Sequence, residues 1–204
     1  MIMKRLFIST LILVASFVAS AQEETEEKKG GFKKENLFTG GSISLSFFNQ
    51  SFLIGGNPVF GYSLNRWSDA GLVINYTYTS YRDYLYLNDK LRQSVYGGGA
   101  FLRLFPVKFL FAQGQMEYNW IKLKYIPPPG GAGAETSKVS ATSLLVGGGY
   151  TTGRDPDNKS TYGYLAILFD ITKNTNSPYT DNMGRALPII RAGIHIPLFQ
   201  DRER

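Results

Sequence analysis

The segment from Ile190 to Phe199 constrains the fold more than any other part of the chain, because its side chains alternate in polarity. Successive side chains of an extended chain point to opposite faces of a sheet. One face carries the apolar residues Ile190, Ala192, Ile194, Ile196 and Leu198. The opposite face carries Arg191 and His195. Such a strand predicts a sheet whose apolar side meets hydrocarbon.

The N-terminus has the pattern of a secretory signal peptide. Lys4 and Arg5 precede an apolar run over residues 6–18, and Ala19-Ser20-Ala21 supplies a small-residue cleavage site. The run is shorter than the roughly 20 residues that a transmembrane helix needs. We therefore predict a cleavable signal peptide over residues 1–21 and export from the cytoplasm.

Composition excludes several classes of protein. The chain has no cysteine, which rules out disulfides, lipid attachment to an N-terminal cysteine and zinc-thiolate sites. Without Lys4 and Arg5 the mature chain is only mildly basic, and its cations are scattered, so no nucleic-acid partner is expected. Residues 22–36 are charged and contain glycine, which predicts a flexible periplasmic tail.

Turn residues divide the rest of the chain into eight extended segments, nearly all with alternating polarity. They cover residues 37–48, 52–64, 70–81, 94–104, 109–125, 139–152, 161–172 and 187–199. Only a closed sheet lets strands cross a membrane, because every backbone group in hydrocarbon needs an internal partner. The sequence thus predicts an all-β fold, an eight-stranded antiparallel up-and-down transmembrane β-barrel over residues 37–199 with a short tail at 200–204.

The connections between these segments predict the orientation. Short turns near 65–69 and 105–108 alternate with longer connections near 82–93 and 126–138. Barrels of the bacterial outer membrane have short periplasmic turns and longer extracellular loops, which places both termini in the periplasm. The brief link near 49–51 departs from this pattern. Outward-facing aromatic residues predict a girdle at the membrane surface: Tyr62, Tyr76, Tyr78, Tyr118, Trp120 and Tyr150.

Gly97-Gly98-Gly99 and Gly147-Gly148-Gly149-Tyr150 lie within predicted strands. With them, the region 37–199 resembles the small eight-stranded outer-membrane barrels of the OmpA and OmpX kind, in particular the porin-family-like barrels of Bacteroidetes. The resemblance implies recognition by the barrel-assembly machinery through a C-terminal signal. The residues that match this signal are Arg191, Gly193, Ile196, Leu198 and the aromatic Phe199. Pro197 within the signal and the tail at 200–204 depart from it.

The predicted strand register points a polar set into the barrel. Its members are Arg103, Gln113, Gln115, Glu117, Asp170, Arg191 and His195. An eight-stranded barrel is just wide enough for side chains to fill it, so we expect opposite charges to pair and close the lumen. A gate for ions or protons is the functional alternative.

His195 is the single histidine, which bears on catalysis and metal binding. Ser143 and Glu117 are inward-facing candidates for a triad with it, but no neighbouring motif supports one. A lone histidine is also a poor metal site. We expect neither an enzyme, a cofactor nor a metal.

The predicted function is structural or adhesive, through extracellular loops of an integral outer-membrane barrel. The expected partners are outer-membrane lipid, lipopolysaccharide and the assembly machinery, with an extracellular ligand that the sequence does not identify. One alternative is a narrow channel for small solutes. Another is a soluble, exported, lipocalin-like barrel with an apolar ligand inside, which would need the apolar faces turned inward.

Overall fold

The computed structural model describes residues 32–48, 51–131, 133–155, 160–172, 174, 176–180 and 185–200. The predicted signal peptide, most of the predicted tail at 22–36 and residues 201–204 lie outside the described residues. At the end of that tail, Lys34–Asn36 form a short 3-10 helix.

The described residues form eight strands that close into a barrel. They are β1 (Leu37–Phe48), β2 (Ser51–Asn65), β3 (Ser68–Arg82), β4 (Lys90–Val107), β5 (Leu110–Ile126), β6 (Glu135–Thr152), β7 (Tyr162–Asp170) and β8 (Ile189–Pro197). Each strand pairs antiparallel with the next, and β8 pairs with β1. The predicted fold, an eight-stranded antiparallel up-and-down barrel, is confirmed.

The barrel has two distinct ends. The lower end carries the beginning of β1, the end of β8, and the connections 66–67, 108–109 and 153–161. The upper end carries the connections 83–89, 127–134 and 171–188. Strands β4 and β6 begin at Lys90 and Glu135, earlier than the sequence predicts, because their pairing with β5 continues upward past the apolar positions. Backbone hydrogen bonds thus continue these strands beyond the region where alternating polarity predicts them.

Glycines within the strands allow the close approach that a small barrel demands. A Cβ at Gly99 would overlap the carbonyl oxygen of Met116, and a Cβ at Gly147 would overlap that of Ile167. Both glycines point into the barrel, where neighbouring strands curve tightly. The glycine-rich stretches of β4 and β6 therefore serve the curvature of the wall.

The two faces of the wall differ in chemistry. Outward-facing apolar side chains are largely exposed, with Ile43 69% and Ile74 67% exposed. Inward-facing polar side chains are buried, and Glu117 is 1% exposed. The wall is thus apolar outside, as the alternation predicts, and its inner face combines polar side chains with buried apolar clusters such as that of Phe105, Phe111 and Tyr164. Among the described residues, no helix has the length and apolar character to cross a membrane.

Candidate functional site in the barrel lumen

A row of polar side chains on β5 runs up the inside of the barrel. Alternate residues of this strand face inward, and the polar ones among them are Gln113, Gln115, Glu117 and Asn119. The Nε2 of Gln113 donates to Oε1 of Gln115 at 2.7 Å, and Gln115 in turn donates to Oε1 of Glu117. One strand therefore supplies a continuous hydrogen-bonded chain of side chains.

Glu117 is the centre of this chain. Its Oε1 pairs with Nη2 of Arg191 from β8 at 3.1 Å. Its Oε2 accepts hydrogen bonds from Nδ2 of Asn119 at 3.1 Å and from the hydroxyl of Tyr179 at 2.7 Å. Because a buried carboxylate is costly unless it is paired and hydrogen-bonded, these donors are what make its position tolerable.

Arg103 extends the chain from β4 without touching a carboxylate. Its Nε donates to Oε1 of Gln113 at 3.0 Å. Its guanidinium carbon lies 4.7 Å from the ring centre of Phe111 and 4.6 Å from that of Tyr164. Stacking on aromatic rings and an amide contact stabilise this cation.

Asp170 ends β7 and lies at the upper end, apart from Glu117. Its Oδ1 accepts hydrogen bonds from the backbone N–H groups of Leu144 at 3.2 Å and Thr172 at 3.0 Å, and its Oδ2 accepts one from Ser177. The hydroxyl of Ser177 also lies 3.1 Å from that of Ser143. Asp170 therefore organises the start of the β7–β8 connection.

Tyr179 and Ser177 belong to that connection and enter the barrel from above, which the sequence analysis missed. Tyr179 packs against Leu145 and Leu168 and reaches Glu117. Burial and then the negative charge of Glu117 raise the pKa of Tyr179, so the phenol stays protonated and donates. An aromatic residue in a polar loop was the only signal, since loop residues have no period.

His195 lies toward the lower end, away from the Glu117 cluster. Its ring stacks between Phe38, with centroids 4.1 Å apart, and Tyr162, with centroids 4.4 Å apart. Ser143 lies opposite Glu117 on β6 and is engaged with Ser177. The three candidates for a triad thus do not come together. Among the described residues, no group of three His, Cys, Asp or Glu side chains is arranged to hold a metal ion.

The seven predicted lumen residues therefore divide into three places. Five form one connected chain: Arg103, Gln113, Gln115, Glu117 and Arg191. Asp170 lies above this chain and His195 lies below it. Between the two ends, the lumen contains a void of about 10 Å³ beside Arg103 and Arg191. A void of that size holds one water molecule at most.

The residues of the predicted assembly signal have ordinary roles in the last strand pairing. Ile196 pairs with Thr39 of β1, and Pro197 is the final residue of β8, where a missing N–H is tolerated. The N–H of Leu198 donates to the carbonyl of Leu37 at 2.8 Å. Phe199 is exposed beyond the strand.

The aromatic residues predicted as a girdle lie at two levels on the outside of the wall. The upper level contains Tyr76, Tyr78, Tyr118 and Trp120, and the lower level contains Tyr62 and Tyr150. Tyr96, which the sequence analysis left out of the girdle, stacks on Trp120 at 5.9 Å in the upper level. Phe109 packs against Tyr150 at 6.2 Å in the lower one.

No protein-family model and no curated protein matches the chain. Among solved structures, it is similar to Ail of Yersinia pestis in complex with the heparin analogue sucrose octasulfate, with a TM-score of 0.44 and 10% identity over 78% of this chain and 92% of that one. For Ail in a phospholipid bilayer nanodisc the TM-score is 0.44 with 13% identity over 78% and 97% of the two chains. For the N-terminal β-barrel domain of Pseudomonas aeruginosa OprF it is 0.42 with 12% identity over 79% and 96%.

These likenesses concern the fold alone. The closed, eight-stranded, up-and-down sheet confirms the resemblance to small outer-membrane barrels at that level.

Proposed function

We propose that the chain is an integral β-barrel of the outer membrane that has a side-chain-filled lumen, lacks enzymatic activity, and displays its upper loops for contact with a surface or partner. The belt of exposed apolar side chains on the outside of the wall carries this proposal. Every strand whose side chains are described throughout contributes at least one large apolar residue to the belt. A soluble barrel would instead hide such residues.

The spacing of the two aromatic levels supports a membrane-spanning role. Tyr150 of the lower level pairs with Leu110 on β5, and Trp120 of the upper level lies further up the same strand. At about 3.3 Å per residue and a tilt of about 40°, the stretch from Leu110 to Trp120 rises about 25 Å. The apolar band of outer-membrane barrels has about that height.

The β3–β4 loop at the upper end supports an adhesive role. Leu85, Tyr86 and Leu87 are exposed at its tip, and Leu87 is 77% exposed. Asp89 fixes the loop because its carboxylate accepts hydrogen bonds from the backbone N–H groups of Leu85 and Tyr86, each at 2.9 Å, and from that of Tyr84. A loop that is already ordered loses little conformational entropy on binding.

A cysteine-labelling experiment tests the placement in the membrane, since the chain has no cysteine of its own. Three single variants report on three positions: Leu87→Cys in the upper loop, Lys108→Cys in a lower turn, and Ile74→Cys in the apolar belt. We expect a membrane-impermeant maleimide to label Leu87→Cys on intact cells and Lys108→Cys only after the outer membrane is permeabilised. Ile74→Cys should react with neither treatment and should label with a lipid-soluble reagent.

The controls decide between the membrane barrel and the soluble, lipocalin-like alternative. If Ile74→Cys reacts with the impermeant reagent as fast as Leu87→Cys in extracts without detergent, the belt faces water and the proposal is wrong. Heat-modifiable gel migration of each variant verifies that the barrel is closed before labelling.

A loop variant tests the adhesive role. We expect the triple substitution Leu85→Ser, Tyr86→Ser and Leu87→Ser to reduce attachment of expressing cells to polystyrene and to cultured epithelial layers. The matched control replaces Lys108 and Phe109 of a lower turn with serine and should attach like the unmodified chain. Equal attachment of all three strains would leave the protein with a structural role alone.

A further inference from the structure

A cavity of about 320 Å³ opens at the lower end of the barrel. It lies inside the wall, between β1, β2, β3, β7, β8 and the β6–β7 connection. Phe38, Ser63, Asp69, Tyr162 and His195 are among the side chains that line it. The cavity is far larger than the void in the middle of the lumen, so the filled interior ends here in a chamber.

Three buried polar side chains in this chamber make no hydrogen bond of standard geometry with the described residues, although the hydroxyl of Ser63 lies near the carboxylate of Asp69 and Arg154 lies near the hydroxyl of Tyr162. They are Asp69 at both carboxylate oxygens, Tyr162 at its hydroxyl and His195 at Nδ1. Their exposures are 1%, 5% and 6%. Unpaired polar groups at such depth are rare, and a buried carboxylate is the most costly of them. Their positions around one chamber indicate that a bound molecule supplies the missing hydrogen bonds.

The cations near Asp69 are already engaged elsewhere. Arg103 and Arg154 act on the Asp69 charge from a distance, and Ser63 faces it across the β2–β3 ladder. Arg103 is occupied by Gln113 and the aromatic rings described above. Arg154 donates from Nη2 to the carbonyl of Arg66 at 3.0 Å, and its guanidinium lies 3.6 Å from the centre of the Phe105 ring. Neither forms an ion pair with Asp69.

The remaining charges on the lining are mixed. Glu35 and Asp155 are acidic and Arg66 is basic, and all three lie with Arg154 toward the connections and the chain start. The inner wall of the chamber supplies the carboxylate of Asp69 and the acceptor atoms of Tyr162 and His195. It therefore favours a donor that also carries positive charge.

We propose that this chamber binds a soluble small molecule through a primary ammonium group. An ammonium has three N–H donors and one positive charge. Asp69 supplies the counter-charge, and the hydroxyl oxygen of Tyr162 and Nδ1 of His195 supply further acceptors. A lipid headgroup is excluded as the source because Asp69, Tyr162 and His195 face the lumen and not the outside of the wall.

The single histidine provides a direct reporter of binding. We would label the full chain with ¹⁵N, refold it in detergent micelles and record the imidazole resonances of His195 while adding putrescine. The matched neutral probe is 1,4-butanediol, which has the same length and two hydroxyls. We expect a saturable shift with putrescine, with a dissociation constant of about 1 mM for a molecule of this size. We expect no saturable shift with the diol.

Two substitutions that each remove one negative charge separate the role of Asp69 from a general electrostatic attraction. Asp69→Asn should weaken putrescine binding by about tenfold, whereas Asp155→Asn in the same chamber should change it by about twofold or less. Tyr162→Phe removes one acceptor and should weaken binding by about threefold, and it keeps the test decisive should Asp69→Asn fail to refold.

Three results would overturn the proposal. The first is no shift of His195 up to about 10 mM putrescine, ten times the expected constant. The second is an equal response to 1,4-butanediol. The third is equal weakening by Asp69→Asn and Asp155→Asn, which would indicate that charge alone draws the amine to the lower end.

Discussion

At the scale of single residues, the pair of Glu117 and Arg191 dominates the interior. Arg191 is 4% exposed and Glu117 is 1% exposed, so both ions have left water. Removing one member of a buried pair leaves the other uncompensated, which costs more than the pair contributes. The surrounding amides of Gln115 and Asn119 hold the carboxylate but carry no charge to balance Arg191.

We therefore predict that Glu117→Gln lowers the free energy of unfolding by about 3–5 kcal/mol. Urea titration in micelles, read by heat-modifiable migration, measures the loss. Glu135→Gln, at the exposed start of β6, is the control and should change stability by less than about 0.5 kcal/mol. The double variant Glu117→Gln with Arg191→Met should recover much of the loss. A single variant as stable as the control would show that the pair of Glu117 and Arg191 does not stabilise the barrel.

A second prediction at this scale concerns Asp89, which lies in the β3–β4 loop outside the barrel wall. Burial opposes its charge, but hydrogen bonds from Tyr86, Leu85, Tyr84 and Tyr125 outweigh it and hold the pKa of Asp89 below its usual value of 3.8. A lowered pKa in the folded state stabilises the loop above the unfolded pKa, and this stabilisation is lost as the pH falls through the folded pKa.

The β3–β4 loop should accordingly stay ordered at pH 5 and lose its order below about pH 3.8. Amide exchange at Leu85 and Tyr86, followed by NMR, measures this. Asp89→Asn should speed exchange at those amides at every pH, while Asp83→Asn, on the same loop, should spare the hydrogen bonds to Leu85 and Tyr86. Unchanged exchange in Asp89→Asn would show that the loop is held by other contacts.

At the scale of elements, neighbouring residues of each strand lie in opposite environments, one outside the barrel and the next inside it. On β3, Ile74 faces outward and the next residue, Asn75, is buried and bonds to Asn119 of β5. This alternation made the strands, their order and their inward and outward faces predictable from the sequence. Few folds other than an eight-stranded barrel fit eight segments whose polarity alternates with a period of two residues.

A charge placed on the outward face of β3 tests that environment. Ile74→Lys should destabilise the barrel by about 2–4 kcal/mol in lipid vesicles, because its ammonium would lie in hydrocarbon. Leu85→Lys, in the exposed loop, should leave stability unchanged. Equal stabilities of the two variants in vesicles would place Ile74 in water. Reversible urea unfolding monitored by tryptophan fluorescence provides the comparison.

The connections were less predictable than the strands, for a physical reason. Tyr179, Ser177 and Asp89 act through contacts that depend on where a loop returns, and no periodicity encodes that return. The lower chamber was also missed, since Asp69 and Tyr162 become neighbours only when β3 and β7 take their places in the closed sheet. The register of β5 and β8 did predict Glu117 and Arg191 inside, but not their direct pairing.

At the scale of the whole molecule, the described residues fill the middle of the barrel and leave a chamber at its lower end. The void of about 10 Å³ beside Arg103 and Arg191 has room for about one water molecule. Tyr179 closes the same region from above through its bond to Glu117. The geometry thus favours a closed barrel over the narrow channel that the sequence left open.

We predict that the purified protein produces no steady conductance in planar lipid bilayers at neutral pH. A general porin reconstituted in the same bilayers is the positive control, and heat-modifiable migration shows that the protein is folded. Regular conductance steps from the unmodified chain would instead restore the channel as its function. Tyr179→Ala should also stay silent, because the Glu117 and Arg191 pair remains in place beneath it.

The meeting of Arg191 and Tyr179 on Glu117 also bears on how the barrel is completed. Both donors belong to the last part of the chain, whereas their acceptor lies on β5, on another part of the wall. Until β8 takes its place in the barrel, Arg191 cannot meet this carboxylate. The last hairpin therefore closes the barrel in two ways. Its backbone pairs with β1 along the wall, and its side chains Arg191 and Tyr179 bind Glu117 across the interior.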